Sequence, residues 1–182
     1  MFELKPSKLA GCYELQPKAF EDARGRFVKV FHVPTFAAHG LETAFAEEYY
    51  SVSYKNVIRG MHFQLPPMDH VKMVYCVEGK VLDAVVDLRK GSPTYGRFDL
   101  FELSAAKANS LYIPKGMAHG FCVRSERAIM VYKVSTVHSP AHDAGLLWNS
   151  MEIPWPIAEP ILSERDAAFP RLDTFVSPFN HG

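Results

Sequence analysis

Residues 111–121 read LYIPKGMAHGF, a stretch that carries the main signal for the architecture of this chain. Apolar residues run up to Pro114, a Pro-Lys-Gly turn follows, and apolar residues resume at Met117 and reach Phe121. The turn is tight because proline fixes its own φ angle and glycine accepts a positive one. The stretch therefore predicts two short strands joined by a turn, with His119 near the start of the second strand.

Similar short runs of apolar residues lie on both sides of this stretch. Residues 71–77 and 81–88 flank Glu78-Gly79-Lys80, which predicts a β-hairpin because a short glycine-containing turn separates two apolar runs. Other segments with the composition of strands are 27–33, 97–103, 111–114, 120–123 and 128–135. Short strands at such regular intervals, together with an aromatic content of 13%, predict an all-β fold, an antiparallel sandwich or barrel.

Helical patterns are scarce along the chain. Residues 35–40 and 163–169 each predict a short helix, and Ser163 is the expected N-cap of the second. From about residue 150 to residue 182 the chain loses periodicity and gains prolines. We expect this segment to wrap over the sandwich, so that residues 1–182 form a single domain.

Charge and composition exclude several classes of protein. Lys plus Arg and Asp plus Glu each total 20, whereas proteins that bind nucleic acid or anionic membranes usually carry a basic excess. No apolar stretch approaches the ~18 residues of a membrane span, and the N-terminus lacks the apolar core of a signal peptide. The three cysteines are too few and too widely spaced for a disulfide framework. We therefore expect a cytoplasmic protein that binds neither nucleic acid nor membrane.

A second motif, RGMHFQ at residues 59–64, places polar side chains within an apolar strand pattern. Side chains alternate along a strand, so His62 and Gln64 share one face. An imidazole on the inner wall of a small barrel is a metal ligand, a general base or a hydrogen-bonded core residue. The cations Arg59 and Lys72 close by must face either solvent or an anion, which favours a binding site over a core histidine.

Residues 111–121 also resemble the second half of the cupin signature, in which Pro-x-Gly-x-x-His places a histidine at the start of a strand. Metal-binding cupins usually have two histidines and a glutamate in the first half of that signature. Here only His62 remains, and Gln64 occupies the place of the second histidine. We therefore expect no metal site and no other cofactor.

A series of motifs in a fixed order identifies a more specific relationship. The matching stretches are DARGRF at 22–27, RGMHFQLPP at 59–67, Lys72, VVDLRKGSPTYGRF at 85–98, LYIPKGMAHGF at 111–121, Tyr132-Lys133 and LSERD at 162–166. In these the chain resembles the dTDP-4-dehydrorhamnose 3,5-epimerases, cupin-like jelly rolls that act on nucleotide-linked 4-keto-6-deoxy sugars. The resemblance covers nearly the whole chain. It implies a jelly-roll fold and an epimerase of deoxysugar biosynthesis.

By this resemblance, four residues carry out the reaction. The 4-ketone acidifies the hydrogens on carbons 3 and 5 of the sugar. Epimerisation therefore needs a base, a group that stabilises the enolate and an acid on the opposite face. The resemblance implies that His62 is the base, that Asp166 orients it, and that Lys72 stabilises the enolate oxygen. It also implies that Tyr132 is the acid.

The resemblance further implies a set of residues that bind the diphosphate and the nucleotide. Arg59 and His119 would contact the diphosphate, while Arg24 and Phe27 would reach the nucleotide from the partner subunit of a homodimer. The N-terminal strands would then lie at the dimer interface. The other expected substrate-binding residues are Glu47, His138 and Arg165.

Several positions depart from the family pattern at the nucleotide end of the site, which leaves alternatives open. Lys29, Glu47, Tyr49 and His138 replace residues that usually contact the base and the ribose. Glu47 can accept a hydrogen bond from an exocyclic amine, which cytosine and guanine have and thymine lacks. A substrate linked to a nucleotide other than dTDP is therefore an alternative, with CDP the first candidate. Epimerisation at one carbon only is another. A non-catalytic cupin that binds a sugar nucleotide is an alternative from a different class.

Overall fold

The computed structural model describes residues 2–182, whose regular secondary structure consists of many strands and a few short helices. The strands are β1 (Phe2–Pro6), β2 (Tyr13–Pro17), β3 (Ala19–Asp22), β4 (Gly25–Val28), β5 (Glu47–Tyr54), β6 (Ile58–Gln64), β7 (Lys72–Glu78), β8 (Lys80–Asp87), β9 (Phe98–Ser104), β10 (Ser110–Ile113), β11 (Met117–Val123), β12 (Arg127–Val134) and β13 (Asp143–Gly145). The helices are α1 (Val33–Ala38) and α2 (Glu164–Ala167), followed by a 3-10 helix at Leu172–Thr174. Within the described chain, no helix is both long and apolar enough to cross a membrane.

Two antiparallel sheets face each other. The strand order is β1-β2-β10-β7-β12-β5 in one and β13-β6-β11-β8-β9 in the other, while β3 and β4 form a separate hairpin. The main core lies between the sheets, where Val74 and Met130 of the first meet Val85 and Phe121 of the second. Each such fully buried side chain contributes about 1.5–3 kcal/mol. The predicted all-β antiparallel jelly-roll sandwich is confirmed.

The five-stranded sheet is covered on its outer face as well. Met61 and Ala118 point away from the main core and form a second cluster with Met151 and Phe179 from the last part of the chain. As a result β11 is buried along its whole length. This double covering holds β6 and β11 rigidly, and these two strands supply one wall of the site.

The predicted hairpin between residues 71–77 and 81–88 is wrong. Both strands form, but β7 lies between β10 and β12 in one sheet, whereas β8 lies between β11 and β9 in the other. Gly79, with a φ of +76°, sends the chain across from one sheet to the next. Two apolar runs around a glycine look the same whether they pair with each other or cross between sheets, because the partners are set by tertiary packing.

The predicted strand at residues 27–33 is also largely wrong. Pairing stops at Val28, and α1 begins at Val33, two residues before the predicted helix. Phe31 packs against Phe36 of α1 and against Phe45, with ring centroids 4.8 and 5.4 Å apart, so this part of the run is partly buried by side-chain packing rather than by sheet pairing. By contrast, the predicted N-cap at Ser163 is confirmed.

Two apolar surfaces remain exposed on the single chain. β5 is an edge strand, and its Tyr50 and Tyr54 are each 69% exposed. The β3–β4 hairpin exposes Phe20 by 53% and Phe27 by 61%. A free sheet edge and clustered exposed aromatic side chains are typical of protein–protein interfaces.

Candidate active site

A cavity of about 370 Å³ opens between the two sheets. β5, β7 and β12 form one wall, and β6 and β11 form the other. The predicted site residues that line it are Glu47, Arg59, His62, Lys72, His119, Tyr132, His138 and Arg165. A cavity of this volume with so many polar groups suits a small polar ligand.

His62 and Asp166 form a hydrogen-bonded pair at the five-stranded wall. His62 on β6 donates from Nε2 to Oδ1 of Asp166 at 2.9 Å. Asp166 lies on α2, where its own N–H donates to the N-cap Ser163 Oγ at 3.1 Å. Because a carboxylate only accepts, the imidazole proton lies on Nε2, and the Nδ1 lone pair is free to take a proton.

Burial and hydrogen bonding set the protonation states of this pair. Burial lowers the pKa of His62, and the hydrogen bond to Asp166 opposes that effect only in part. Burial alone would raise the pKa of Asp166, but the hydrogen bonds from His62 and from the Gly60 N–H outweigh it and hold the pKa at about 2. Near neutral pH the imidazole is therefore neutral and the carboxylate charged, the state in which His62 acts as a base.

Gly60 allows the pair to form. Its N–H donates to Oδ2 of Asp166 at 3.0 Å, and its φ is +135°. A Cβ at this position would lie 2.5 Å from the Cα of Gly120 on β11. Only glycine permits this close approach of two strands, and the approach brings His62 next to Asp166.

Lys72 on β7 is a nearly buried cation, only 7% exposed. Among residues 2–182 its ammonium forms neither a hydrogen bond nor an ion pair. Burial lowers the pKa of Lys72 to about 8, although the carboxylates of Asp83 and Asp143 oppose this shift. A desolvated ammonium with unused donors is suited to stabilising negative charge on a ligand oxygen, such as that of an enolate.

Tyr132 on β12 lies on the wall opposite His62. Its ring stacks on Tyr49 at a centroid separation of 4.8 Å and meets His119 edge-on at 6.3 Å. Its hydroxyl shares a 3.0 Å hydrogen bond with Ser51 Oγ. Burial raises the pKa of Tyr132, so the phenol is protonated at neutral pH. The cavity thus has an imidazole with a free lone pair on one wall and a protonated phenol on the other.

Arg59 and His119 extend the five-stranded wall. Arg59 donates from Nε to Ser53 Oγ at 2.8 Å. His119 donates from Nε2 to Oδ2 of Asp83 at 2.8 Å, and both members of this pair are buried. Within the described residues the Arg59 guanidinium has no carboxylate partner, so its charge is available to an anionic ligand such as a diphosphate.

Gln64 fixes the loops at one edge of the cavity. Its amide Nε2 donates to the Met68 carbonyl at 2.7 Å, and its Oε1 accepts the Ser139 N–H at 2.6 Å. The same amide nitrogen lies 3.2 Å from Nδ1 of His70, which must therefore be unprotonated because an amide nitrogen only donates. Burial, together with the charge of Lys72, lowers the pKa of His70 to about 3. Within residues 2–182, no three His, Cys, Asp or Glu side chains are grouped as metal ligands.

The remaining cavity residues are tied together by polar contacts. Oε2 of Glu47 accepts the backbone N–H of His138 at 2.6 Å, which joins β5 to the loop after β12. Arg165 on α2 forms an ion pair with Asp143 on β13. These contacts hold the three predicted residues Glu47, His138 and Arg165 at the cavity wall.

Arg24 and Phe27 do not line the cavity of the single chain. They lie on the β3–β4 hairpin, where Arg24 pairs with Asp22 at 2.5 Å while its side chain stays 90% exposed. Phe27 is exposed as well. Neither side chain reaches the cavity of its own chain.

Sequence reasoning missed three polar residues of the site, Ser51, Ser53 and Asp143. For the two serines a signal existed, because they follow Glu47 at alternate positions of β5 and so share its inward face. For Asp143 there was none, because a three-residue strand has no periodicity to read.

Comparison with known proteins identifies similar chains. The family model described as dTDP-4-dehydrorhamnose 3,5-epimerase matches residues 6–174. The dTDP-4-dehydrorhamnose 3,5-epimerase of Shigella flexneri is 44% identical over 154 residues, which cover 83% of this chain and 85% of that protein. The dTDP-4-dehydrorhamnose 3-epimerase of Streptomyces niveus is 40% identical over 166 residues, which cover 90% of this chain and 80% of that protein.

Solved structures of similar proteins also match this chain. The crystal structure of dTDP-6-deoxy-D-glucose-3,5-epimerase from Legionella pneumophila, in complex with dTDP-4-keto-L-rhamnose, matches this chain with a TM-score of 0.95. The two sequences are 30% identical, and the match covers 100% of each chain.

Proposed function

This chain belongs to the family of dTDP-4-dehydrorhamnose 3,5-epimerases, and we propose that it inverts carbons 3 and 5 of a dTDP-linked 4-keto-6-deoxy sugar in deoxysugar biosynthesis. One observation carries the proposal: the His62–Asp166 pair and Tyr132 lie on opposite walls of one cavity, which Lys72 also lines. Inversion at carbon requires such an arrangement, because the proton must leave from one face and return to the other. The dTDP-linked substrate follows the names of the relatives.

The first step is proton removal from a carbon next to the ketone. His62 takes the proton on Nδ1, and the Asp166 carboxylate, bonded to Nε2–H, stabilises the resulting imidazolium. Lys72 donates to the ketone oxygen as it becomes an enolate oxygen, which lowers the energy of the intermediate.

The second step returns a proton to the opposite face. Tyr132 donates its phenolic proton to the enolate carbon, and the configuration at that carbon is inverted. The same pair of steps at the second carbon completes the reaction. A positioned acid or base contributes about 10²- to 10⁴-fold to the rate of each proton transfer.

Incubation with dTDP-4-keto-6-deoxyglucose in D₂O, followed by NMR, tests the proposal. We expect deuterium at carbons 3 and 5 and inversion at both. Deuterium at one carbon would identify a single-carbon epimerase. No deuterium at either carbon, with the nucleotide sugar still bound, would identify the non-catalytic cupin instead.

Two variants test the roles of the acid and the base. His62→Ala should abolish exchange at both carbons in a protein that keeps the circular dichroism spectrum of the wild type. Tyr132→Phe should leave exchange in place, since the base remains, while inversion falls. Equal loss of exchange and inversion in Tyr132→Phe would rule out Tyr132 as the acid.

Glu47 gives a specific reason to test a second nucleotide. Its carboxylate lines the cavity and can accept from the amine of cytosine, for which thymine has no equivalent. A hydrogen bond to a charged group is worth about 1.5–3 kcal/mol, or roughly 10- to 150-fold in affinity. Calorimetric titration with dTDP and CDP decides between them. Tighter binding of dTDP supports the proposed substrate, and tighter binding of CDP replaces it with a CDP-linked sugar.

We further propose a homodimer in which the β3–β4 hairpin of each chain reaches the cavity of the other. The exposed Phe27 and the solvent-facing Arg24 support this arrangement. Light scattering at micromolar concentration should give twice the mass of the chain, and Arg24→Ala should weaken dTDP binding without changing that mass. A monomeric mass would refute the proposal.

We also propose that the whole chain acts as a single domain in the cytoplasm. The segment 150–182 supports the first point because its apolar side chains complete the core over the five-stranded sheet. The three buried, unpaired cysteines support the second, because free thiols persist in a reducing compartment.

A further inference from the structure

Each inversion leaves the acid and the base of the site in the opposite protonation states from those in which they started. On the proposed function, His62 ends one step with an extra proton and Tyr132 ends it as a phenolate. The two residues lie on opposite walls, with the substrate between them, so they cannot exchange the proton directly. Because two carbons are inverted, Tyr132 must regain a proton once while the same substrate is still being processed.

The hydroxyl of Tyr132 is enclosed. The side chain is 7% exposed, with Tyr49 stacked on one face of its ring and His119 at the edge. Among residues 2–182, the hydroxyl has one hydrogen-bond partner, Ser51 Oγ at 3.0 Å. Burial raises the pKa of Tyr132, so a phenolate there is a strong base that draws a proton from whatever donor it contacts.

Ser51 is placed between this hydroxyl and water. It lies on the edge strand β5, it is only half-buried, and it lines the cavity. A hydroxyl group donates one hydrogen bond and accepts others at the same time. Ser51 can therefore bond to the phenol on one side and to water on the other.

We propose that Ser51 is the proton relay that restores Tyr132 after each inversion. The Oγ–H proton of Ser51 passes to the phenolate oxygen, while Oγ takes a proton from water in the same concerted shift, so that no alkoxide accumulates. The hydroxide left behind is neutralised by the proton that His62 releases to solvent. One proton enters on the Tyr132 side and one leaves on the His62 side, so the enzyme returns to its starting state.

Single-turnover kinetics separate this role from a merely structural one. Tyr132 starts each reaction protonated, so Ser51→Ala should carry out the first inversion at close to the wild-type rate. The second inversion should be slower by about 100-fold or more, the low end of what a lost proton-transfer partner costs. With enzyme in excess over the dTDP-linked substrate, quenched samples should therefore accumulate a sugar inverted at one carbon. Ser51→Thr keeps a hydroxyl and should restore the second inversion.

A matched control is Ser110→Ala. Ser110 is a fully buried serine of the same sheet, and its hydroxyl has no partner among the described residues. This variant removes the same atoms and should process both carbons as the wild type does.

Other outcomes overturn the relay. If Ser51→Ala slows both inversions equally, Ser51 only orients the phenol. If it slows neither, the proton reaches Tyr132 by another path. The proposed function is judged separately, on the wild type: if the wild type inverts neither carbon, that function fails and the relay falls with it.

Discussion

Replacing Lys72 by methionine should make the protein more stable and inactive at the same time. Lys72 is charged at pH 7 but is 7% exposed and unpaired within the described chain. Burial lowers its pKa from 10.5 to about 8. A difference of about 2.5 units corresponds to about 3 kcal/mol, which the folded state loses by holding the ammonium at this position. Methionine has a similar length and carries no charge.

The gain in stability should be large enough to measure by thermal unfolding. For a chain of 182 residues, each kcal/mol shifts the midpoint by roughly 2–4 °C, so Lys72→Met should unfold about 6–12 °C higher at pH 7. Activity should fall by about 100- to 1,000-fold, because the enolate oxygen loses its cationic donor. The matched control is Lys5→Met on β1, an edge strand of the same sheet, where the side chain is exposed and stability should hardly change.

The pH dependence of this gain provides the sharpest check. The folded pKa of Lys72 lies below the unfolded one, so the wild type recovers stability as pH rises from about 8 to 10.5. The advantage of Lys72→Met should therefore be full below pH 8 and shrink through that window. A variant less stable than the wild type at pH 7, or an advantage that does not change with pH, would refute the reasoning.

Three further predictions follow from the same electrostatics. kcat/KM should fall at low pH as His62 protonates, with a pKa below 6.5, and at high pH as Lys72 deprotonates near pH 8, which initial rates across this range will show. Asp166→Asn should slow deuterium exchange by about 100-fold or more, because an amide NH₂ can face the imidazole and reverse its tautomer; unchanged exchange would contradict this. His70 has a folded pKa of about 3, so the wild type should lose up to about 1.4 kcal/mol per pH unit below pH 6.5. Thermal unfolding of His70→Gln at acidic and neutral pH should show a smaller loss.

Individual strands could be predicted from the sequence, but their partners could not. The predicted strands at 97–103 and 128–135 agree with β9 and β12 to within one residue, because alternation and β-branched residues mark a strand locally. The hairpin predicted for segment 71–88 is wrong, because no local feature of a sequence determines which sheet a strand joins. Fold class survives such errors because many short antiparallel strands pack as a sandwich in either case.

The residues of the site also differ in whether the sequence alone could identify them. His62 and Lys72 stand out because charged or titratable groups on apolar strands need a reason. Asp166 could be predicted only from the family resemblance, because it lies on a four-residue helix far along the chain from His62. The alternate spacing from Glu47 indicates that Ser51 faces inward, but its partner, the hydroxyl of Tyr132, is visible only in the structure.

His62 and Asp166 are 104 positions apart in the chain, and this separation has a consequence for how activity appears during folding. The sandwich can bury its main core before α2 has docked, because that core draws on earlier segments of the chain. The base would at that stage lack the carboxylate that sets its tautomer. Recovery of catalysis after dilution from denaturant should therefore lag behind recovery of the β-sheet signal, and the lag measures the docking of α2.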